Sequence, residues 1–141
     1  MRQAVVDASV AAKWVVEEEH SAQAAILLEF DARHAPDHWL SETANAVWSK
    51  VLHGDLTAAD ATERMTVLLR APIIGTPIVD LMPRAFAISL AQGVTVYDSL
   101  YVALAEKLDI PMVTADERLI RRMSGDATLA RRLVWVGSLT A

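Results

Sequence analysis

The sequence contains no cysteine among its 141 residues. Disulfide bonds, thiolate metal sites and cysteine nucleophiles are therefore excluded, and any bound metal must be held by oxygen or imidazole ligands. No apolar run approaches the roughly 20 residues that a membrane-spanning helix needs. The N-terminus also lacks the pattern of a signal peptide. We therefore expect a cytoplasmic protein that makes no use of a membrane.

Motifs of several enzyme classes are missing as well. The chain has no Gly-rich phosphate loop and no Gly-x-Ser-x-Gly sequence, which disfavours nucleotide-triphosphate binding and serine hydrolysis. Zinc spacing is absent too, because Pro36 interrupts the helical continuity between His34 and His38. We expect these histidines to have ordinary surface or capping roles.

Length and composition indicate one globular domain over residues 1–141. Hydrophobic residues make up 53% of the chain and charged residues 22%, which suits a compact core and argues against disorder. The net charge of −5 gives the whole molecule no general affinity for nucleic acid. Residues 118–132 are locally rich in Arg and could bind phosphate or an acidic partner, although a solvated helix face explains any single Arg equally well.

Apolar periodicity predicts short strands that alternate with helices, as in a parallel sheet covered on both faces. The predicted strands or strand-like segments are 3–7, 34–36, 73–79, 112–114 and 134–136. The predicted helices are about 9–17, 20–33, 37–53, 57–71, 81–92, 98–108, 116–123 and 127–132.

Three aspartates end short apolar runs and precede helical patterns. They are Asp7, Asp98 and Asp116, after the runs 4–6, 95–97 and 111–115. Each of them alone is better explained as a helix N-cap. Because the carboxyl ends of parallel strands share one edge of a sheet, however, the three side chains can meet there. Clustered carboxylates repel one another unless a cation binds, so their conjunction predicts a site for Mg²⁺ or Mn²⁺.

Helical periodicity does not select Glu42 for such a site. In the helix predicted for 37–53, Glu42 falls almost opposite the apolar stripe formed by Leu40, Val47 and Val51. Periodicity therefore predicts an exposed surface glutamate.

Four sequence blocks, in order, carry a family resemblance that spans nearly the whole chain. They are residues 5–14 (VVDASVAAKW), 41–46 (SETANA), 97–105 (YDSLYVALA) and 113–119 (VTADERL). In these blocks the chain resembles PIN-domain proteins, especially the VapC-type toxins of bacterial toxin–antitoxin pairs. One position departs from the pattern: Ser99 stands where many relatives carry Ala, which leaves the preceding acid intact.

The resemblance implies an α/β fold of the PIN-like, three-layer α/β/α type. Its central sheet is short-stranded and mostly parallel, with about five strands and many helices. The resemblance also implies a ribonuclease whose acidic cluster binds Mg²⁺ or Mn²⁺ and whose metal-bound water attacks an RNA phosphodiester. Asp7, Glu42 and Asp98 match the three principal acids of the family, and Asp116 matches a fourth, more variable one.

The same match suggests supporting residues around the acids. Ser9, Asn45 and Thr114 match polar positions near the site, where they would orient carboxylates or water.

Basic residues are the candidates for contacts to RNA phosphate. They are Lys13, Arg118, Arg121 and Arg122.

The resemblance further implies two protein partners, a small cognate antitoxin and a second copy of the chain in a homodimer. Apolar helix faces around Trp14, Ile26 and Trp48 could supply such surfaces, although core packing is the simpler expectation for any one of these residues.

Two alternatives to a nuclease remain open. A receiver-like signalling module would need an acidic pair after the first strand, a phosphoacceptor Asp after a central strand and a strand-end Lys. Asp7 stands alone, Asp55 follows no predicted strand, and Lys107 lies inside a predicted helix. A PIN-fold scaffold without catalysis is disfavoured because all four acids are present.

Overall fold

The computed structural model describes the whole chain, residues 1–141, around a parallel sheet of five short strands. The order of the strands in the sheet is β3-β2-β1-β4-β5, and all neighbours are parallel. The strands are β1 (Gln3–Val6), β2 (Ala32–Pro36), β3 (Ile74–Thr76), β4 (Met112–Thr114) and β5 (Leu133–Trp135). The predicted α/β class and strand number are therefore confirmed.

Eight α-helices connect and cover the strands. They are α1 (Ala8–Ala11), α2 (Ser21–Ile26), α3 (Trp39–Leu52), α4 (Ala58–Leu68), α5 (Ile78–Gln92), α6 (Val96–Leu108), α7 (Glu117–Met123) and α8 (Ala127–Ala130). No single helix is both long and apolar enough to cross a bilayer; only α5 and α6 taken together, bent by 117° at their junction, have the necessary length and composition.

The central strand β1 owes its position to an uninterrupted apolar run. Ala4, Val5 and Val6 are fully buried, as expected for a parallel strand covered on both faces. Val5 packs with Met112 and the helices α5 and α6 on one face of the sheet. Val6 packs with Val113 and the helices α1 and α2 on the other face. The sheet and its two helical layers form the predicted three-layer arrangement.

The chain changes direction in the sheet between β1 and β4. From β1 it builds outward through β2 to β3, and then returns to the other side of β1 to add β4 and β5. Sites in open α/β sheets form at such a switch point, beyond the carboxyl ends of the strands. Asp7 follows β1, and Asp116 comes two residues after β4. The topology therefore brings these two residues, 109 positions apart, to adjacent strand ends.

Two predicted segments are wrong, one at 20–33 and one at 73–79. The helix predicted for 20–33 ends at Ile26 and is followed by a 3-10 turn at Leu27–Glu29; Ala32–Pro36 then forms β2. Arg33 stabilises this connection, because its Nη1 atom donates to the carbonyl oxygens of Leu27, Leu28 and Phe30. The strand region predicted for 73–79 is shorter as well: β3 covers Ile74–Thr76, and Ile78 already begins α5.

The departure at Ser99 has a structural explanation. Ser99 is fully buried in α6, and its hydroxyl shares a hydrogen bond of 2.8 Å with the hydroxyl of Ser89 in α5. The extra oxygen is therefore satisfied by a polar partner on the neighbouring helix, and burying it leaves no unpaired group.

Candidate active site

Asp7 is the most deeply buried acid of the chain, with 6% of its surface exposed. It occupies the N-cap position of α1, yet its side chain makes no capping hydrogen bond. Instead, its Oδ2 accepts hydrogen bonds from Ser9 Oγ at 2.8 Å and from Thr114 Oγ1 at 2.7 Å. Burial raises the pKa of Asp7, while the bonds from Thr114 and Ser9 oppose that rise.

The two hydroxyls are oriented by backbone amides. The amide of Ala115 donates to Ser9 Oγ at 3.1 Å, and the amide of Asp116 donates to Thr114 Oγ1 at 3.0 Å. Because each hydroxyl accepts from an N–H, its own proton is available for Asp7. The structure thus brings two of the three predicted supporting residues, Ser9 and Thr114, into direct contact with an acid.

Asn45 is the third predicted supporting residue, and the structure does not join it to the acids. It lies three residues after Glu42 in α3, is exposed, and makes no side-chain hydrogen bond.

Asp116 is a helix N-cap, as its position alone suggests. Its Oδ1 accepts hydrogen bonds from the amides of Arg118 at 3.0 Å and Leu119 at 3.2 Å, at the start of α7. Its Oδ2 makes no hydrogen bond within the protein. The same carboxylate raises the pKa of Asp98, so the capping role and a place in the acidic cluster coexist.

Asp98 belongs to the cluster, but the prediction that it ends a strand is wrong. Thr95 caps α6 by accepting a hydrogen bond of 3.2 Å from the amide of Asp98, so the helix begins at Val96 and Asp98 lies in its first turn. A cap at Thr95 starts the helix too early for the run 95–97 to form a strand. Asp98 therefore reaches the sheet edge from a helix that packs against β1 and β2.

The four carboxylates act on one another electrostatically. Burial, and then the charges of Asp7, Asp116 and Glu42 in that order, raise the pKa of Asp98 to about 6. Repulsion between like charges over short distances has this effect because it disfavours the ionised form. The structure therefore brings all four predicted acids into one neighbourhood.

Glu42 faces this neighbourhood, and the exposed position predicted from periodicity is wrong. Its Oε1 accepts hydrogen bonds from the Tyr101 hydroxyl at 2.7 Å and from His38 Nε2 at 3.0 Å. The buried face of α3 is centred on Thr43 and Val47, and Glu42 adjoins this face. The predicted apolar stripe included Leu40 and Val51, which are only partly buried. The direction of that stripe therefore differs from the direction of the buried face.

The partners of Glu42 keep it ionised. Burial would raise the pKa of Glu42, but hydrogen bonds from His38 and Tyr101 together with the charge of His38 hold it below its usual value. Burial and the charges of Asp7 and Glu42 raise the pKa of Tyr101 far above its usual range. The Tyr101 hydroxyl therefore stays protonated and acts as a hydrogen-bond donor.

His38 and Tyr101 were not predicted as site residues. His38 was expected to have an ordinary surface or capping role, but its ring lies 4.9 Å from that of Tyr101 between centroids, and its Nε2 also contacts the Tyr97 carbonyl oxygen at 3.1 Å. The signal that could have found them is helical spacing: His38 precedes Glu42 by four residues, and Tyr101 follows Asp98 by three.

The basic candidates separate into three groups. Lys13 Nζ bonds to Glu18 Oε1 at 3.2 Å and to the Glu19 carbonyl oxygen at 2.7 Å, and these contacts do not support its predicted role at RNA. Arg118 and Arg122 line a cleft of about 270 Å³ that also includes Asp98 and Asp116. Arg121 is exposed and does not line this cleft.

The carboxylate oxygens of the four acids are ligands of the kind that a hard divalent cation binds. No three His, Asp or Glu side chains are arranged here so that they could hold one metal ion. Mg²⁺, however, usually takes only one or two carboxylates directly and keeps several of its waters. A cation would also relieve the repulsion that raises the pKa of Asp98. The residues therefore fit Mg²⁺ or Mn²⁺ as oxygen donors.

Comparison with known sequences identifies the family. A model described as the PIN domain matches residues 4–125. Ribonuclease VapC3 of Pyrobaculum aerophilum is 35% identical over 122 residues, which cover 84% of this chain and 92% of the relative. Ribonuclease VapC12 of Mycobacterium tuberculosis is 30% identical over 125 residues, which cover 89% of this chain and 95% of the relative.

Solved structures share the fold. PAE2754 from Pyrobaculum aerophilum superposes with a TM-score of 0.64 at 21% identity, covering 92% of this chain and 88% of that one. A toxin–antitoxin complex from Klebsiella pneumoniae gives a TM-score of 0.61 at 14% identity, covering 93% and 95%. The family match and the two VapC relatives extend over most of the chain. The protein therefore belongs to the PIN-domain family and is of the VapC type.

Proposed function

We propose that this protein is a metal-dependent endoribonuclease and the toxin of a toxin–antitoxin pair. The observation that carries the proposal is the cluster of Asp7, Glu42, Asp98 and Asp116, in which burial and then the charges of the other three acids raise the pKa of Asp98 to about 6. Carboxylates that repel one another at one sheet edge indicate a site that binds a cation. The names of the VapC relatives support RNA as the substrate.

In this proposal Mg²⁺ or Mn²⁺ binds at the cluster formed by the four acids, with one or two carboxylates as direct ligands and the others acting through its bound waters. The bound cation supplies Lewis-acid charge at a phosphodiester and makes water a stronger nucleophile. Ser9 and Thr114 fix the Asp7 carboxylate through its Oδ2. Tyr101 and His38 bind Oε1 of Glu42, which leaves Oε2 without a partner in the protein. Asp7, Glu42 and Asp116 thus each keep an oxygen available while a neighbouring side chain or amide sets the orientation of the carboxylate.

The test is cleavage of total cellular RNA by purified protein with Mg²⁺, with Mn²⁺ or with EDTA, followed by mapping of the new ends. Asp7→Asn and Asp98→Asn should each abolish metal-dependent cleavage while the protein stays folded. Asp80→Asn is a matched control, because Asp80 occupies the third position of α5 just as Asp98 occupies the third position of α6. Cleavage that persists in EDTA would contradict the metal mechanism. A folded protein that binds metal but cuts no RNA would favour the scaffold alternative.

We also propose an antitoxin partner that binds α3 and α4. The toxin–antitoxin complex from Klebsiella pneumoniae supports a partner of this kind. Trp48 is 58% exposed, so core packing does not account for it, and it borders an apolar groove of about 300 Å³ with Val51, Ala61 and Met65. Trp48→Asp should abolish co-purification with the protein encoded beside this gene and leave RNA cleavage unchanged.

The proposed homodimer has a candidate surface on α5. Val79, Phe86 and Leu90 are exposed along one side of the helix, at spacings of seven and four residues that place them on one stripe. Exposed apolar stripes of this kind mark protein contacts. Light scattering on the wild type and on Phe86→Glu tests this proposal, which expects a dimer for the first and a monomer for the second.

A further inference from the structure

An RNA phosphate must approach four carboxylates in order to reach the proposed catalytic site. The chain as a whole carries a net charge of −5, so no general positive potential draws RNA toward it. Binding of a nucleic-acid backbone depends on cations that neutralise its phosphates. The site therefore needs basic side chains close to the acids, and these must be free of carboxylate partners of their own.

Six of the 13 Lys and Arg side chains are engaged elsewhere. Lys13 and Lys50 both pair with Glu18, Arg84 pairs with Glu106, and Arg132 pairs with Asp109. Two more bond to backbone carbonyl oxygens at other places in the fold, namely Arg33 and Arg64. Among the basic residues that remain, Arg118 and Arg122 are the two that line a cleft together with site acids.

Arg118 and Arg122 both line the cleft from α7. Arg118 and Arg122 are four residues apart, so their side chains lie on the same helix face. Arg122 Nη1 donates a hydrogen bond of 3.2 Å to the carbonyl oxygen of Gly93, which ties it to the loop between α5 and α6. Arg118 lies next to one of the acids, because its backbone amide donates a hydrogen bond to the Asp116 carboxylate. Neither guanidinium contacts a carboxylate.

We propose that Arg118 and Arg122 form a phosphate subsite that binds the RNA backbone next to the scissile bond. This inference rests on the proposed nuclease function and specifies how the substrate enters the site. The subsite lies on the α6–α7 side of the acidic cluster, where the cleft of about 270 Å³ opens. It reads the phosphate backbone and carries no base specificity. Arg121 has no part in it, because it does not line the cleft.

The test is equilibrium binding of a labelled single-stranded RNA in EDTA at several salt concentrations. Arg118→Ala and Arg122→Ala should each weaken binding roughly 10-fold at low salt, the usual order for a lost charge-assisted hydrogen bond. Each change should also lower the slope of log K against log salt by roughly 0.7, the contribution of one phosphate of a single strand. Arg121→Ala, with the same change of charge one residue away, should keep the wild-type slope.

A second readout separates the subsite from the chemistry. With metal present, Arg118→Ala and Arg122→Ala should raise KM for a short RNA and leave kcat close to the wild-type value. Wild-type binding and KM in both variants, or an equal loss in Arg121→Ala, would overturn the subsite. If the wild type binds RNA with the expected dependence on Arg118 and Arg122 but never cleaves it, the subsite stands and the nuclease function fails. Absence of RNA binding by the wild type in EDTA would overturn the subsite, whereas the nuclease function is decided by cleavage in the presence of metal.

Discussion

The Tyr101 hydroxyl donates a hydrogen bond of 2.7 Å to Oε1 of Glu42, across 59 positions of sequence. This bond joins α6 to α3 and holds Glu42 toward Asp7 and Asp98, whose pKa values its charge raises. The bond is stable against ionisation of the phenol, because the pKa of Tyr101 lies far above its usual range. Tyr101 is therefore a positioning residue for Glu42.

Tyr101→Phe should weaken the binding of Mg²⁺ or Mn²⁺ and slow RNA cleavage by about 10-fold, a typical effect of removing a residue that orients a metal ligand. The measurement is the metal concentration that gives half-maximal cleavage. Tyr97→Phe is the matched control, because Tyr97 is exposed and its hydroxyl makes no hydrogen bond. Equal metal dependence in the two variants would argue against positioning by Tyr101.

Asp98 should make the metal-free protein less stable as the pH rises. Its folded-state pKa of about 6 lies above the usual value near 4, so the folded protein keeps this proton longer than the unfolded chain. Its contribution to the free energy of unfolding is complete below about pH 4 and is lost as the pH rises to about 6. Urea unfolding in EDTA between pH 4 and pH 8 measures this loss.

Asp98→Asn should remove that part of the pH dependence and stabilise the metal-free protein at pH 7, while abolishing cleavage. Asp80→Asn should keep the wild-type pH dependence. An Asp98→Asn protein less stable than the wild type at pH 7 would contradict the repulsion inferred for the cluster.

A comparison with Asp126 can separate the capping role of Asp116 from its proposed catalytic role. Asp126 caps α8 in the same way, because its Oδ1 accepts from the amides of Thr128 at 3.0 Å and Leu129 at 3.1 Å. Asp116→Ala and Asp126→Ala should each lower the free energy of unfolding by about 1 kcal/mol. Only Asp116→Ala should reduce cleavage.

Asparagine caps helices about as well as aspartate does. Asp116→Asn should therefore restore stability without restoring the charge. Full activity in Asp116→Asn would show that the charge of this residue has no part in the reaction.

The hydroxyls bound to Asp7 should control its availability to metal. Ser9→Ala and Thr114→Val each remove a donor that lowers the pKa of Asp7, so the carboxyl should ionise only at higher pH in both variants. The expected result is a shift of the pH dependence of cleavage toward higher pH, measured at fixed metal concentration.

Ser21→Ala is the control for those two changes. Ser21 is buried, accepts from the Glu18 amide and donates to the Val16 carbonyl oxygen, but it has no contact with the acids. The Ser21→Ala protein should be less stable than the wild type and should keep the wild-type pH dependence of cleavage. A similar shift in Ser21→Ala would assign the effect to general loosening of the fold.

The sequence predicts Asp7 and Asp116 for a sound physical reason. Both follow buried apolar runs, and the runs do form adjacent strands, β1 and β4. Asp98 was selected by the same argument, but that argument does not apply to it, because Thr95 begins a helix before a strand can form. Local apolar content does not distinguish a strand from the first turn of a buried helix.

Other parts of the site and fold depend on tertiary contacts that periodicity does not contain. Glu42 required the family resemblance, since its position depends on a contact with another helix, the hydrogen bond from Tyr101 in α6. Apolar periodicity does not mark His38 or Tyr101 either, although their helical spacing to Glu42 and Asp98 could have suggested them. The strand β2 lacks the β-branched residues that would predict a strand. It forms because β1 and β3 pair with its backbone on both sides.

The return of the chain to β1 has a consequence for synthesis. Asp7 is synthesised before Asp116, and the hydroxyl of Thr114 that holds Asp7 belongs to the later of these two segments. A growing polypeptide that has not yet extended through β4 lacks this half of the cluster. The nascent chain therefore has an incomplete acidic cluster until β4 has been synthesised, and the proposed cleavage of RNA requires both segments.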